Sequence, residues 1–205
     1  MKQSIRSAAV AFVLLFAATL ALCQPAFAGH QWVAGIGGMI PYPASGNFTS
    51  YAGCTLDTST YTPLASYACT ANVTASSDQG VLIESQWFDA SATAGNGKVT
   101  LHLPSQAADG KTSLWKVKLA CDNGAQSVAN PTFGTESATF TCTNDGTTAG
   151  REITCQSAAV TPNSTSNLGG ANLAYTCLWA VRRFDGGTMT NSTASNIIGY
   201  ELDIQ

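Results

Sequence analysis

In the stretch "WKVKLAC", which ends at Cys121, every second residue is apolar: Trp115, Val117, Leu119 and Cys121 alternate with Lys116, Lys118 and Ala120. Residues two apart share one face of a sheet. The cysteine is therefore expected on the buried face and both lysines on the other. The same rhythm places Cys142 with Phe140 and Ala138, Cys155 with Ile153, and Cys177 with Trp179 and Val181. It also groups Cys69 with Tyr67 and Val73, and Cys54 with Leu56. Six cysteines that all face inward from short alternating segments leave few folds other than stacked sheets.

The rest of the chain agrees. "VLIESQWF" puts Val81, Ile83 and Trp87 on one face, and "VTLHLP" does so with Val99, Leu101 and Leu103. "SATFTCT", "REITCQSAAV", "LAYTCLWAVRRF" and "IIGYELDIQ" read as further strands, the last with Ile198, Tyr200, Leu202 and Ile204 on one side. Turn pairs separate them: Asn96-Gly97, Asp109-Gly110, Asn123-Gly124, Asp145-Gly146, Gly169-Gly170 and Asp185-Gly186. Many short strands with regular turn signals and no 3.6-residue stripe predict an all-β fold, a jelly-roll-like antiparallel β-sandwich with an N-terminal cystine-tied hairpin.

The first residues carry Lys2 and Arg6, an uncharged apolar run from Ala8 to Cys23, and small residues at Ala26 and Ala28. This is the pattern of a secretory signal peptide over 1–28, cleaved between Ala28 and Gly29. The apolar run is 16 residues long, short of the roughly 20 that span a bilayer, so no stable membrane insertion is expected. Leu22 before Cys23 is too large for a lipoprotein site. With Lys2 and Arg6 removed, seven basic residues face twelve acidic ones, a charge of −5. Such a surface has no footprint for nucleic acid or anionic membrane. The expected location is exported, periplasmic or extracellular.

Of the seven cysteines Cys23 is expected to leave with the signal, and the even set of six that remains in an exported chain predicts disulfides. With no C-x-x-C pair and two histidines, a zinc site is disfavoured. Spacing suggests Cys54–Cys69 and Cys142–Cys155 across short segments, with Cys121–Cys177 joining remote ones. Sequence alone does not choose among the pairings. Residues 29–46, "GHQWVAGIGGMIPYPASG", are broken by glycine and proline and are taken as a flexible arm, with an edge strand or a docking segment as alternatives. Residues 47–80 form the N-terminal hairpin region and 81–205 the sandwich, with 47–205 one compact unit.

From about Val81 to Gln205 the chain resembles uncharacterised jelly-roll-like β-sandwich modules of tailed-phage virion proteins and related environmental and bacterial sequences. The residues that carry this are "WFDAS" (87–91), "LHLPS" (101–105) with Asp109-Gly110, "LWKV" (114–117), "PTFGT" (131–135), "VTP" (160–162), "LWAVRR" (178–183) and "IGYELDI" (198–204). The resemblance implies a fold and an oligomeric or surface-attached setting, not a reaction. The cystines, the export signal and a shorter insert after the Asp-Gly turn set this chain apart and point to an exported cellular relative.

Catalytic chemistry finds little to stand on. Converging acid–base or nucleophilic groups commonly include a histidine, but His30 adjoins the cleavage site and His102 has outward parity. There is no G-x-S-x-G, H-E-x-x-H or P-loop, and "GIGG" (35–38) precedes no helical pattern. Glu84 and Asp89 are the least implausible carboxylate pair for a glycosidase. Oxygen-rich "CDNG", "TNDGTT" and "FDGGT" suit calcium, but turn chemistry explains the same letters. No cofactor or metal is therefore assigned. Trp87, Trp115 and Trp179 have core parity, which leaves Trp32 as the candidate for surface contact. Arg183 is expected to cap the core with its head in water. Arg182 is expected to pair with Glu201 or Asp203 if "LAYTCLWAVRRF" and "IIGYELDIQ" are neighbours. The function expected is a secreted structural or adhesive β-sandwich, not an enzyme, with an unknown protein or glycan partner and self-assembly through the arm. A carbohydrate-binding module is the alternative, and a cystine-stabilised hydrolase comes third.

Overall fold

The computed structural model describes residues 29–43, 51–61, 64–70, 78–89, 96–122, 133–162, 173–184, 190 and 193–204. The signal segment 1–28 lies outside them. The described residues contain strands and turns but no helix, and so none long and apolar enough to cross a membrane. The strands in chain order are β1 (Gly29–Ala34), β2 (Met39–Pro41), β3 (Ala52–Gly53), β4 (Thr55–Asp57), β5 (Ser66–Cys69), β6 (Gln79–Asp89) and β7 (Gly97–Pro104). They continue with β8 (Thr112–Asp122), β9 (Phe140–Thr143), β10 (Glu152–Gln156), β11 (Leu173–Phe184), β12 (Ser195–Ile197) and β13 (Gly199–Ile204).

They form a four-stranded sheet in the order β1-β13-β7-β10 and a larger sheet in the order β2-β6-β11-β8-β9, with β3 added to β6. A small sheet, β12-β5-β4, holds the N-terminal hairpin. Pairing is antiparallel apart from the short β3–β6 contact. The two main sheets share one core. Val99, Leu101, Leu103, Tyr200 and Leu202 come from the smaller, and Val81, Ile83, Trp115, Val117, Leu119, Trp179 and Val181 from the larger. Burying these side chains is the main driving force for the fold. The indoles of Trp179 and Trp115 each have a polar partner: Trp179 Nε1 donates to Ser85 Oγ at 2.8 Å and Trp115 Nε1 to Ser113 Oγ at 3.1 Å.

The six cysteines among the described residues are all buried in that core and pair as Cys54–Cys69, Cys121–Cys177 and Cys142–Cys155. Cys121 and Cys177 are remote in sequence but directly opposed on neighbouring strands β8 and β11. Cys142–Cys155 joins β9 of one main sheet to β10 of the other, and Cys54–Cys69 closes the β4–β5 hairpin. The all-β sandwich with its cystine-tied hairpin is thus present as the sequence predicts.

Several local expectations change. The 29–46 segment is not a free arm over the residues described: Gly29–Ala34 pairs with β13 as the edge strand of the smaller sheet, and Met39–Pro41 pairs with β6 of the larger. "GIGG" is the turn that carries the chain between the two sheets. Gly35 and Gly38 have φ of 86° and 80°, and Tyr200 Oη donates to the Gly37 carbonyl at 2.8 Å. The C-terminal alternation breaks at Ile198. There the chain leaves β12, where Ile197 is fully buried, and enters β13 in a different sheet. Leu56, grouped with Cys54 by parity, is 53% exposed, because Cys54 sits ahead of β4 and the rhythm does not run through it.

Candidate functional site

Of the sandwich's two outer faces, that of the larger sheet is built mainly by β8 and β11, whose residues alternate between core and exterior. Register places Arg182 opposite Lys116 and Ala180 opposite Lys118. These are the side chains that alternation turns away from Trp115, Val117 and Leu119. Tyr42, Leu82 and Ala180 form a small apolar cluster on this face, with Tyr51 and Phe133 packed against it. Tyr42 lies over Gly80 so closely that a Cβ there would fall 2.4 Å from its Cζ. Tyr51 meets Tyr42 edge-on at 6.0 Å between centroids.

Charged groups are interleaved with these rings. Arg182 Nε donates to Glu136 Oε1 at 2.7 Å and Nη2 to Glu136 Oε2 at 2.9 Å, a bidentate pair. Arg182 Nη1 also donates to Asp78 Oδ2, which is buried. The guanidinium lies 5.1 Å from the Tyr51 centroid and 5.0 Å from that of Phe184. Lys116 Nζ stands 4.2 Å from the Phe184 centroid and 3.4 Å from Glu136 Oε2. Lys118 Nζ is 4.6 Å from the Phe133 centroid and 5.9 Å from that of Tyr51. Such contacts are attractive because the ring faces carry negative potential.

The titration of these groups reflects the crowding. Burial lowers the Lys118 pKa, with Glu136 raising it and Arg182 lowering it further. Burial works to raise the Glu136 pKa, but hydrogen bonds and charge from Arg182, then Lys116, outweigh it and the net shift is downward. Burial pushes the Tyr42 hydroxyl well above its usual range.

The smaller sheet presents a polar face. His102 lies between two carboxylates, with Nδ1 against Glu152 Oε1 and Nε2 2.9 Å from Glu201 Oε1. Beside it Gln156 Nε2 donates to Thr100 Oγ1 at 3.1 Å. His102 therefore has the outward parity expected, but it is held in a cross-strand network instead of being bathed in solvent. Among the described residues no group of three or more His, Cys, Asp or Glu is arranged to hold a metal.

The sequence-derived candidates fall as follows. Trp32 stands opposite Glu201 in the β1–β13 register. Gly29 begins β1, while Ala28 is outside the described residues. Trp115 and Trp179 are fully buried, and the Trp87 side chain is outside the description. Glu84 is exposed on β6, opposite Leu178. The Asp145 carboxylate of "TNDGTT" is occupied by its own loop: Oδ1 accepts Thr147 N, Thr147 Oγ1 and Thr148 N, and Oδ2 accepts Arg151 Nη1. Parts of "CDNG" and "FDGGT" lie outside the described residues.

Both arginine expectations are corrected. Strand β11 lies between β6 and β8, whereas β13 belongs to the other sheet, so Arg182 pairs with Asp78 and Glu136, not with Glu201 or Asp203. Arg183 is fully buried, its head out of water, and its Nη1 donates to the carbonyls of Cys69, at 2.9 Å, and Thr193. It ties β11 to the hairpin. The aromatic–cationic cluster itself escaped sequence reasoning. The outward lysines of "WKVKL" were its one local signal, since Tyr51, Asp78, Phe133 and Glu136 arrive from remote segments.

No family model matches the chain, and no curated protein matches it. Solved structures do. The xylan-binding module CBM15 aligns at 8% identity and a TM-score of 0.43, covering 86% of this chain and 96% of its own. An isomalto-dextranase of Arthrobacter globiformis T6, complexed with panose, aligns at 13% identity and 0.47, covering 88% of this chain and 24% of its own. A family 35 carbohydrate-binding module from Clostridium thermocellum aligns at 12% and 0.35, covering 87% and 100%. These three are not virion proteins, so the resemblance to tailed-phage modules finds no counterpart among them. Likenesses this weak assign no ligand and no residue.

Proposed function

We propose that this chain is an exported, non-catalytic saccharide-binding β-sandwich that takes its ligand on the outer face of the larger sheet. The observation that carries the reading is the placement of Tyr51, Phe133 and Phe184 among Lys116, Lys118, Arg182 and Glu136 on that face. Sugar rings offer C–H faces that stack on aromatic rings, and vicinal hydroxyls that suit planar or charged hydrogen-bonding groups. Three disulfides support an oxidising compartment. The adhesive role expected from the sequence narrows here to adhesion through glycans, since Gly29–Ala34 and Met39–Pro41 of the segment expected to drive assembly are paired within the chain's own sheets.

The test is a glycan array probed with the mature chain, followed by calorimetry on the best ligand. Phe133→Ala and Tyr51→Ala should each weaken binding by about tenfold, or 1.4 kcal/mol, with the melting temperature held. Absence of binding to every glycan, or binding unaffected by both substitutions, would overturn the proposal.

A further inference from the structure

Resting on the saccharide reading, we infer that the same face selects neutral, hydroxyl-rich saccharides over uronic acids and sulfated glycans, with Glu136 and Lys116 the acceptor and donor for neighbouring sugar hydroxyls. Charge argues for this first. Among the side chains described on the face, Lys116, Lys118 and Arg182 are matched in number by Asp78, Glu84 and Glu136. Most of these charges are also interleaved. Arg182 lies between Asp78 and both oxygens of Glu136, and Lys116 Nζ is 3.4 Å from Glu136 Oε2. Burial works against the charge on Lys118, and Glu136 is the group that favours it. An acid group on a ligand would therefore arrive beside a carboxylate that already serves the cations there. The chain as a whole carries twelve acidic residues against nine basic ones, so the long-range field opposes its approach as well.

The sense of the hydrogen bonds points the same way. Carboxylate and sulfate ions only accept, whereas a hydroxyl both donates and accepts. The Glu136 side chain is 27% exposed and that of Lys116 22%, so an acceptor and a donor stand together within reach of a ligand. Phe184 adjoins them, its centroid 4.2 Å from Lys116 Nζ. Glu136 Oε1 accepts one bond, from Arg182 Nε, and a carboxylate oxygen has room for two. A sugar stacked on Phe184 can thus donate one hydroxyl to Glu136 and accept from Lys116 at the next. An ionised acid group fills only the second role and sets its charge against Glu136.

Affinity electrophoresis of the mature chain in gels containing dextran, neutral arabinoxylan, polygalacturonate or dextran sulfate tests the inference, with calorimetry at low and high salt on the best polymer. Retardation is expected from a neutral polymer and from neither acidic one. Affinity should change less than about twofold as salt rises, because an uncharged ligand has no attraction for added ions to screen. Glu136→Gln keeps an acceptor oxygen but removes the charge. It should weaken neutral binding about tenfold, the loss expected of a charged hydrogen-bond partner, and create salt-sensitive retardation by the acidic polymers. The comparison of polymers with the unaltered protein stands even if the variant folds poorly. Equal or stronger retardation by an acidic polymer overturns this inference and leaves the saccharide reading intact. So does neutral binding that Glu136→Gln alters in neither strength nor selectivity. Where no polymer retards the chain, the glycan array decides: neutral hits support the inference, acidic hits overturn it, and an empty array overturns both readings.

Discussion

Gly97 faces the indole of Trp179 across the core: a Cβ built on the glycine would lie 2.2 Å from Trp179 Cη2. The residue opens β7 in the smaller sheet, while Trp179 lies on β11 in the larger. The contact therefore sets how closely the sheets approach at that point. Gly97 also exchanges backbone hydrogen bonds with Val160, at 2.8 Å in each direction, which limits any retreat. Overpacking a close-packed core costs about 1–3 kcal/mol. Gly97→Ala should lose that much in urea unfolding, while Gly146→Ala, whose Cβ would meet nothing within 4 Å, should stay within about 0.5 kcal/mol of the parent. Equal stability of the two variants would show that the sheets are not held at this spacing.

The disulfide between β9 and β10 joins the main sheets covalently along one edge. Its cysteines are 13 residues apart, so its loss mainly frees the unfolded chain. Replacing Cys142 and Cys155 together with Ala should cost about 2–4 kcal/mol. Non-reducing peptide mapping of the parent should recover Cys142 linked to Cys155. A Cys121–Cys142 peptide would contradict the connectivity described above.

Period-two alternation was legible wherever a strand lies wholly within one sheet. Strand β11 runs from Leu173 to Phe184, the span read from sequence, and Trp115, Val117, Leu119 and Cys121 occupy the core as the lettering of "WKVKLAC" requires. Alternation failed where the chain changes sheets, as at Ile198, or where a cysteine precedes its strand, as at Cys54, because the rhythm holds only within one continuous strand. The Asn96-Gly97 turn reading did not foresee that Gly97 opens β7, where its small size serves the Trp179 contact. Strand neighbours were the largest gap. Arg182 meets Asp78 and Glu136 because β11 is central to the larger sheet, and nothing local to "AVRRF" encodes the strand order. A site assembled from Tyr51, Lys118, Phe133 and Arg182 is invisible for the same reason, since its members are joined by topology and not by spacing.

Acid should destabilise the protein through its turn aspartates. Hydrogen bonds from the Thr147 hydroxyl, then from the Thr147 and Thr148 amides, lower the Asp145 pKa to about 2. Asn144 and the Lys111 amide lower that of Asp109 in the same sense. A carboxyl whose folded pKa lies below its unfolded value, about 3.9, stabilises the fold fully above the unfolded value. That contribution fades as pH falls through the folded one. The melting temperature should thus drop between about pH 4 and pH 2. Asp145→Asn should start lower at neutral pH and lose less across that window. An identical acid profile for parent and variant would show that this turn does not hold its carboxylate ionised.

Arg182 offers the sharpest separation of structure from binding. Its side chain is 8% exposed and that of its partner Asp78 is 1% exposed, so removing the guanidinium takes a charged partner from a carboxylate in a site that water scarcely reaches. Breaking a buried pair from one side costs about 3–5 kcal/mol, much of it the penalty of the orphaned charge and not the worth of the pair. Arg182→Met should lose about that much in urea unfolding. Adding Asp78→Asn should recover part of the loss, because the neutral amide needs no counterion, and a double-mutant cycle would then report coupling between sites that contact one another. A cost below about 1 kcal/mol for Arg182→Met, the range of an exposed surface pair, would mean that Asp78 and Arg182 are solvated and that the face between β6 and β8 is open where it is described as packed.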